Sequence, residues 1–150
     1  MRGDWRVPFG AEGYLLPGAS SVVPQYLETA GPGLESPVVL DADTDDPRGA
    51  YLNGTGEQRI ASSWSGGPLE FEIHVTADAP RRLAFYMVDW ERDGNSRTMT
   101  MRDVATGLAL DVREVTDFGE GVYLVYDIHG RVHVTISGSR GANGWLNGIF

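Results

Sequence analysis

Apolar and polar residues alternate along most of the chain from Arg59 onward, with the two-residue period of β-strands that bury one face. Phe71, Ile73 and Val75 alternate with polar side chains, which predicts a half-buried strand. Over 83–88 both sets of alternating positions are apolar, which favours a central strand covered on both faces. Further strands are predicted over 37–40, 97–104, 108–115, 122–128, 132–137 and 145–150. Glycine, asparagine and aspartate separate them and indicate tight turns.

Eight or nine short strands with almost no helical periodicity predict an all-β fold, an antiparallel two-sheet β-sandwich of the jelly-roll type. Residues 59–150 supply the regular strands. Residues 1–58 are less periodic and richer in proline and glycine, and we interpret them as an extended N-terminal wrap that adds an edge strand and long loops. A length of 150 residues with 41% apolar residues suits one domain spanning 1–150 with a single core.

The formal net charge of −9 is spread over the whole chain and repels phosphate backbones and anionic lipid headgroups. Nucleic acid and membranes are therefore not expected partners. Because the chain has no cysteine, a disulfide framework, a thiolate nucleophile and a cysteine-ligated zinc site are excluded. The first residues lack the apolar segment of a signal peptide, so two origins stay open: a cytoplasmic protein, or a piece of a longer exported one.

Strand parity predicts a charged pair at the root of one loop. Asp89 continues the register of Phe85 and Met87, and Arg97 begins the register of Met99. If the two strands form a hairpin around 90–96, both charges lie at the loop end of an inward face. We expect a structural Asp89–Arg97 ion pair there, and direct contact with a ligand is the alternative.

Three tryptophans and several polar residues are candidates for ligand binding. A flat aromatic ring suits the apolar face of a sugar ring, and planar polar groups suit its hydroxyls. The predicted ligand-binding residues are Trp64, Trp90, Asp93, Asn95, Asn143 and Trp145. Core packing is the competing interpretation for Trp90, which shares a strand face with Tyr86 and Val88. Trp5 and Tyr14 are interpreted as anchors of the wrap.

No catalytic residue and no metal-binding motif is predicted. The acidic run over 41–46 is similar to a calcium-binding loop, but Asp46 replaces the required glycine and Leu52 replaces the bidentate glutamate. We interpret this run as a solvated acidic loop and expect no cofactor, with a structural calcium between other loops as the open alternative. The histidines form no paired-ligand motif, and no nucleophile elbow or phosphate loop is present. The sequence therefore does not predict an enzyme.

An ordered set of motifs resembles an accessory domain of bacterial glycoside hydrolases and other secreted polysaccharide-active proteins. The motifs are Asp4-Trp5, Phe85-Tyr86-Met87-Val88-Asp89-Trp90, Arg97, Gly121-Val122-Tyr123-Leu124-Val125-Tyr126, Gly141-Ala142-Asn143 and Asn147-Gly148-Ile149-Phe150. This resemblance implies a galactose-binding-like jelly roll and a secreted location within a larger protein. The implied partners are a polysaccharide or oligosaccharide and the catalytic domain of a parent enzyme. Trp145 departs from the family pattern, which usually has an aliphatic residue there.

Three functions remain open at this point. The leading hypothesis is a non-catalytic carbohydrate-binding module of a secreted bacterial polysaccharide-degrading enzyme. The first alternative is a purely structural domain that packs against a catalytic partner, which an exposed apolar patch on the wrap, with no solvent-facing tryptophan, would favour. The second is a small stand-alone glycan-active enzyme.

Overall fold

The computed structural model describes residues 2–150, which form twelve β-strands and two short 3-10 helices. The strands are β1 (Leu27–Ala30), β2 (Pro37–Asp41), β3 (Ala50–Tyr51), β4 (Arg59–Gly66), β5 (Leu69–Val75), β6 (Arg81–Met87), β7 (Arg97–Asp103), β8 (Ala109–Val115), β9 (Val122–Ile128), β10 (Gly130–Gly138), β11 (Gly144–Leu146) and β12 (Gly148–Ile149). The 3-10 helices are Pro32–Leu34 and Ser139–Gly141. The predicted all-β class is confirmed. Within 2–150, no helix is long and apolar enough to cross a membrane.

The strands form two layers, and every strand pairing is antiparallel. The first layer is one sheet with the order β1-β5-β10-β7-β8. In the second layer, β11 pairs with β4 and β12 pairs with β6, so residues 144–149 join the two smaller sheets in the order β2-β4-β11/β12-β6-β9. The result is the predicted β-sandwich of the jelly-roll type.

Asn147 is the junction between β11 and β12. Its backbone N–H donates to the Tyr86 carbonyl at 2.8 Å. Its side-chain amide donates to the Ser62 carbonyl and accepts from the Val88 N–H, each at 2.8 Å. The buried Asn147 side chain therefore links β4 to Val88, the residue that follows β6, at the point where the last strands change partner from β4 to β6.

In most strands from Arg59 onward the alternation places the apolar side chains between the layers, as predicted; β8 is the exception, since Leu110 and Val112 are exposed. Phe71, Ile73 and Val134 of the first layer belong to one buried cluster with Phe85 and Met87 of the second. The residues that alternate with them lie on the outer face, as Glu70 and Glu72 of β5 show.

A smaller apolar cluster lies on the outer face of the second layer, where the N-terminal wrap covers it. The Trp5 ring is buried, lies 5.0 Å from Phe150 in a stacked arrangement and 4.5 Å from Tyr14, and donates from Nε1 to the Tyr51 carbonyl at 3.0 Å. Trp5 and Tyr14 therefore anchor the wrap, as the sequence predicted. This cover explains why β6 is apolar on both faces, since Ala84 and Tyr86 face the wrap.

The strand predictions differ from the structure mainly at the two ends of the chain. The segment predicted as one strand over 145–150 is two short strands separated by Asn147. The wrap contributes three strands rather than one. Both β1 and β2 lie at sheet edges, β1 in the first layer and β2 in the second.

Candidate functional site

Two of the three candidate tryptophans lie in one surface cleft. The cleft has a volume of about 140 Å³ and is lined by Leu40, Ser63, Trp90, Glu91 and Trp145. Leu40 comes from the edge strand β2, Ser63 from β4 and Trp145 from β11, while Trp90 and Glu91 follow β6. The cleft combines two indole rings with one carboxylate and one hydroxyl. This is an apolar surface with a few polar groups, which is the usual composition of a ligand site.

The Trp145 ring is held in place from several sides. Its Nε1 donates to the Val88 carbonyl at 3.0 Å, and the Arg97 guanidinium lies over the ring, 3.6 Å from its centroid. The Phe118 ring lies beside it with the centroids 6.1 Å apart. The indole is half-buried, so part of it stays accessible from the cleft. A ring that is already fixed loses little side-chain entropy when a ligand binds.

Trp90 is held by a second arginine. The Arg48 guanidinium lies 4.9 Å from the centroid of the Trp90 ring, and its Nη1 donates to the Gly119 carbonyl at 3.0 Å. Arg48 also forms an ion pair with Asp46 at 2.7 Å, and this partner lowers the pKa of the Asp46 carboxyl. The acidic residue at the end of the 41–46 run thus orients an arginine that supports the cleft.

The predicted Asp89–Arg97 ion pair is not formed, and this prediction was wrong in its partner. Arg97 is fully buried, but its Nη2 pairs with Asp93 at 3.2 Å and its Nη1 donates to the carbonyls of Asn95 and Ser96. The parity argument correctly placed both charges on the buried side. The loop, however, folds back so that the arginine binds the loop's own carboxylate and carbonyls, and no ion pair joins it to Asp89.

Asp93 and Asn95 therefore shape the loop. Asp93 is partly desolvated, which raises its pKa, but the Asn95 N–H and the Arg97 guanidinium outweigh this and lower the pKa of Asp93 below its usual value. The Asn95 N–H donates to Asp93 Oδ1 at 2.7 Å. The ionised Asp93 and the buried Arg97 together fix the segment that follows Trp90 and Glu91.

Two other predicted ligand-binding residues lie outside the cleft. Trp64 is only 5% exposed and belongs to the core between the layers, so the expectation that it offers an open ring is corrected. It lies two residues before the end of β4, between the half-buried Ser63 and Ser65, and its parity directs it inward. Asn143 is exposed, and its Nδ2 lies 3.5 Å from the Ser65 hydroxyl.

Sequence reasoning missed four residues of the site: Leu40, Ser63, Glu91 and the supporting Arg48. Leu40 and Ser63 belong to strands that were treated as parts of the sheet, and only the pairing of β2 with β4 brings them beside the tryptophans. Glu91 directly follows the predicted Trp90 and precedes Asp93 in the same loop, so the sequence contained a signal for it.

A second groove, with a volume of about 290 Å³, lies between the wrap and β6. Its polar groups bind one another. The Tyr26 hydroxyl donates to Glu12 at 2.5 Å, and the Arg81 guanidinium lies 4.7 Å from the Tyr26 ring centroid. Burial and the bond to Glu12 raise the pKa of Tyr26 to about 12. We favour the tryptophan cleft as the candidate site, because it brings two of the predicted ligand-binding tryptophans together with a carboxylate.

Across residues 2–150, no three histidine, aspartate or glutamate side chains lie close enough together to hold a metal ion.

No protein-family model and no curated protein matches the sequence. Solved structures similar to it include TmCBM61 in complex with β-1,4-galactotriose, with 16% identity, a TM-score of 0.43 and coverage of 84% of this chain and 88% of that one. A mutant of CBM29-2, a family 29 carbohydrate-binding module, has 14% identity, a TM-score of 0.43 and coverage of 91% and 89%. A family 35 carbohydrate-binding module from Clostridium thermocellum has 12% identity, a TM-score of 0.36 and coverage of 77% and 98%.

Proposed function

We propose that this protein is a non-catalytic carbohydrate-binding module whose ligand occupies the cleft of Trp90 and Trp145. The observation that carries the proposal is the placement of two fixed indole rings beside Glu91 and Ser63 in one open cleft. An indole face covers the C–H groups of a sugar ring, and a carboxylate and a hydroxyl bind its hydroxyl groups. The same combination has little affinity for a phosphate or an anionic lipid, because Glu91 and the net charge of −9 repel both.

A module of this kind contributes to degradation by proximity. Binding to a polymer raises the effective concentration of any enzyme attached to it, even when the single site is weak. We infer that the chain is an accessory part of a larger secreted bacterial polysaccharide-degrading enzyme. The support for this setting is the sequence resemblance carried by the Asp89-Trp90, Arg97 and 147–150 motifs.

The binding experiment uses the protein with β-1,4-galactotriose and cellulohexaose, the sugars found with TmCBM61 and with a CBM29-2 mutant. We expect isothermal titration or an affinity gel to detect binding to at least one β-linked glycan in a panel that includes both. Trp90→Ala and Trp145→Ala should each weaken it at least tenfold, since truncation of a central tryptophan in a binding surface costs about 2 kcal/mol or more. Trp64→Phe serves as a matched core control and should leave affinity unchanged in the folded protein.

Two results would contradict the proposal. One is a folded wild-type protein that binds no glycan of the panel at high micromolar concentration. The other is release of reducing ends from the same glycans by the purified protein, which would indicate a glycan-active enzyme instead.

A second candidate function, a structural domain that packs against a partner, is favoured by one specific observation. The edge strand β2 exposes Val38, Val39 and Leu40 by 47%, 44% and 58%. Three consecutive exposed aliphatic residues at a sheet edge are typical of a protein contact. Val39→Lys would separate the two functions, because it should abolish a contact with a partner domain while leaving glycan affinity intact.

A further inference from the structure

One carboxylate oxygen of Asp89, Oδ1, is buried without a hydrogen-bond partner in the described part of the chain. The residue is only 4% exposed, and its Oδ1 receives no hydrogen bond from residues 2–150. The Asp89 backbone N–H donates to the Phe118 carbonyl at 3.1 Å, so the main chain is fixed. Withdrawing a carboxylate from water without giving it a donor is unfavourable. A ligand that brings a donor to Asp89 would relieve this.

Asp89 lines a pocket of about 230 Å³ whose other lining residues are mostly polar. They are Arg92, Gly94, Asn95, Asp117, Gly119 and Glu120. Glu120 forms ion pairs with Arg92 and, at 3.0 Å, with Arg2, so its charge is compensated. The pocket thus offers acceptors in Asp89 and Asp117, an amide in Asn95 that both donates and accepts, and an arginine at its rim.

This mixture fits neutral hydroxyl groups better than a metal ion. A divalent cation such as calcium requires six to eight oxygen ligands, whereas no three acidic or histidine side chains in the described part of the chain are close enough to share one. A hydroxyl donates one hydrogen bond and accepts others, which matches a pocket that contains both acceptors and donors.

The pocket and the tryptophan cleft lie on the same four-residue segment. Asp89 and Arg92 line the pocket, and the two residues between them, Trp90 and Glu91, line the cleft. Arg48 connects the two, because its guanidinium lies over the Trp90 ring while its Nη1 binds the carbonyl of Gly119 in the pocket wall.

We propose that the Asp89 pocket is a second sugar subsite that recognises vicinal hydroxyl groups of a pyranose ring through the buried carboxylate. This proposal rests on the proposed carbohydrate-binding function and adds to it the group that discriminates between hydroxyl configurations. The stacking cleft is tolerant of configuration, since any sugar ring has an apolar face. The Asp89 subsite is the one that confers selectivity.

The test is an NMR titration of the 15N-labelled protein with β-1,4-galactotriose, cellulohexaose and, separately, calcium chloride. The indole N–H signals of Trp90 and Trp145 report on the cleft, and the amide signals of Gly94, Asn95 and Gly119 report on the pocket. We expect one sugar to shift both groups of signals. In Asp89→Asn, which keeps the side-chain shape, the pocket shifts should disappear and affinity should fall roughly tenfold or more, as for loss of a charge-assisted hydrogen bond.

The matched control is Asp127→Asn, which changes an exposed carboxylate outside both sites and should leave affinity and shifts unchanged. A urea titration of each variant shows whether it is folded, and Asn95→Ala provides a second pocket variant if Asp89→Asn unfolds. Shifts confined to the indoles would overturn the subsite and leave the proposed function standing. The absence of any shift would refute both, and pocket shifts with calcium alone would replace the sugar subsite by a cation site.

Discussion

Replacement of Arg97 by methionine tests whether this buried cation holds the loop beside the cleft. Arg97 is fully buried, and its guanidinium contacts Asp93, two backbone carbonyls and the face of Trp145. Methionine retains most of the side-chain length but removes the charge and every donor. Asp93 and the carbonyls of Asn95 and Ser96 would then lose their partner.

The magnitude follows from the exposure of the groups that remain. Removal of one member of a buried ion pair destabilises by about 3–5 kcal/mol. The Asp93 side chain keeps 27% exposure and water reaches it, so we expect a smaller loss of about 2–3 kcal/mol. For a chain of this size that corresponds to a decrease in Tm of roughly 4–12 °C.

Urea unfolding followed by tryptophan fluorescence and by circular dichroism measures the loss, and the emission of the native protein reports on the surroundings of Trp145. The stability of Arg97→Lys should lie between those of the wild-type protein and Arg97→Met, because lysine restores the charge without the planar guanidinium. Arg82→Met removes an exposed arginine from its pair with Asp127 and should leave the midpoint unchanged. A loss below about 1 kcal/mol in Arg97→Met, on the scale of an exposed pair, would refute the reasoning.

Three further predictions concern the rest of the sandwich. Asn147→Leu removes the amide that links β4 to Val88 and leaves two buried backbone groups without partners. Urea unfolding should therefore show a decrease of about 2–5 kcal/mol in the free energy of unfolding. A decrease below about 1 kcal/mol would contradict the bridging role. Gly144→Ala places a Cβ against the Ile136 carbonyl oxygen and should lower Tm more than Gly54→Ala, where the added Cβ meets nothing within 4 Å. Asp46 and Asp93 have lowered pKa values in the folded protein. Their contribution to the free energy of unfolding is therefore fully present above the unfolded pKa near 3.9 and is lost as pH falls through the lower folded values. A urea midpoint that does not change between about pH 5 and pH 2 would contradict this.

Most strands from Arg59 onward could be predicted from the sequence because they bury one face, so alternation records which side chains are inside. In β8 the prediction rests on less, since Leu110 and Val112 are exposed and only Val115 is buried. Residues 122–128 were predicted with the same limits as β9. Two strands of the wrap, β1 and β3, could not be predicted in this way. In β1 only Leu27 is buried, and β3 has two residues, so neither is long enough or buried enough to show a period.

The candidate site was predicted in part. Trp90 and Trp145 were selected for their chemistry, and the structure brings them into one cleft. Parity along a strand gives the face on which a side chain lies, but not how far a loop folds back, and this is why Arg97 was assigned to Asp89 instead of Asp93. The contribution of Leu40 depends on the pairing of β2 with β4, which is a contact between distant parts of the sequence.

The position of residues 144–149 in the middle of the second layer has a consequence for folding. They are the last strands along the described chain, yet they lie between β4 and β6, which precede them by about 60 to 80 residues. The second layer therefore closes only after a loop of that length has been ordered, and contacts of such high sequence separation are formed slowly. Until then one edge of β4 and one edge of β6 are unpaired. A nascent or partly unfolded chain therefore exposes two aggregation-prone strand edges that are paired in the native protein.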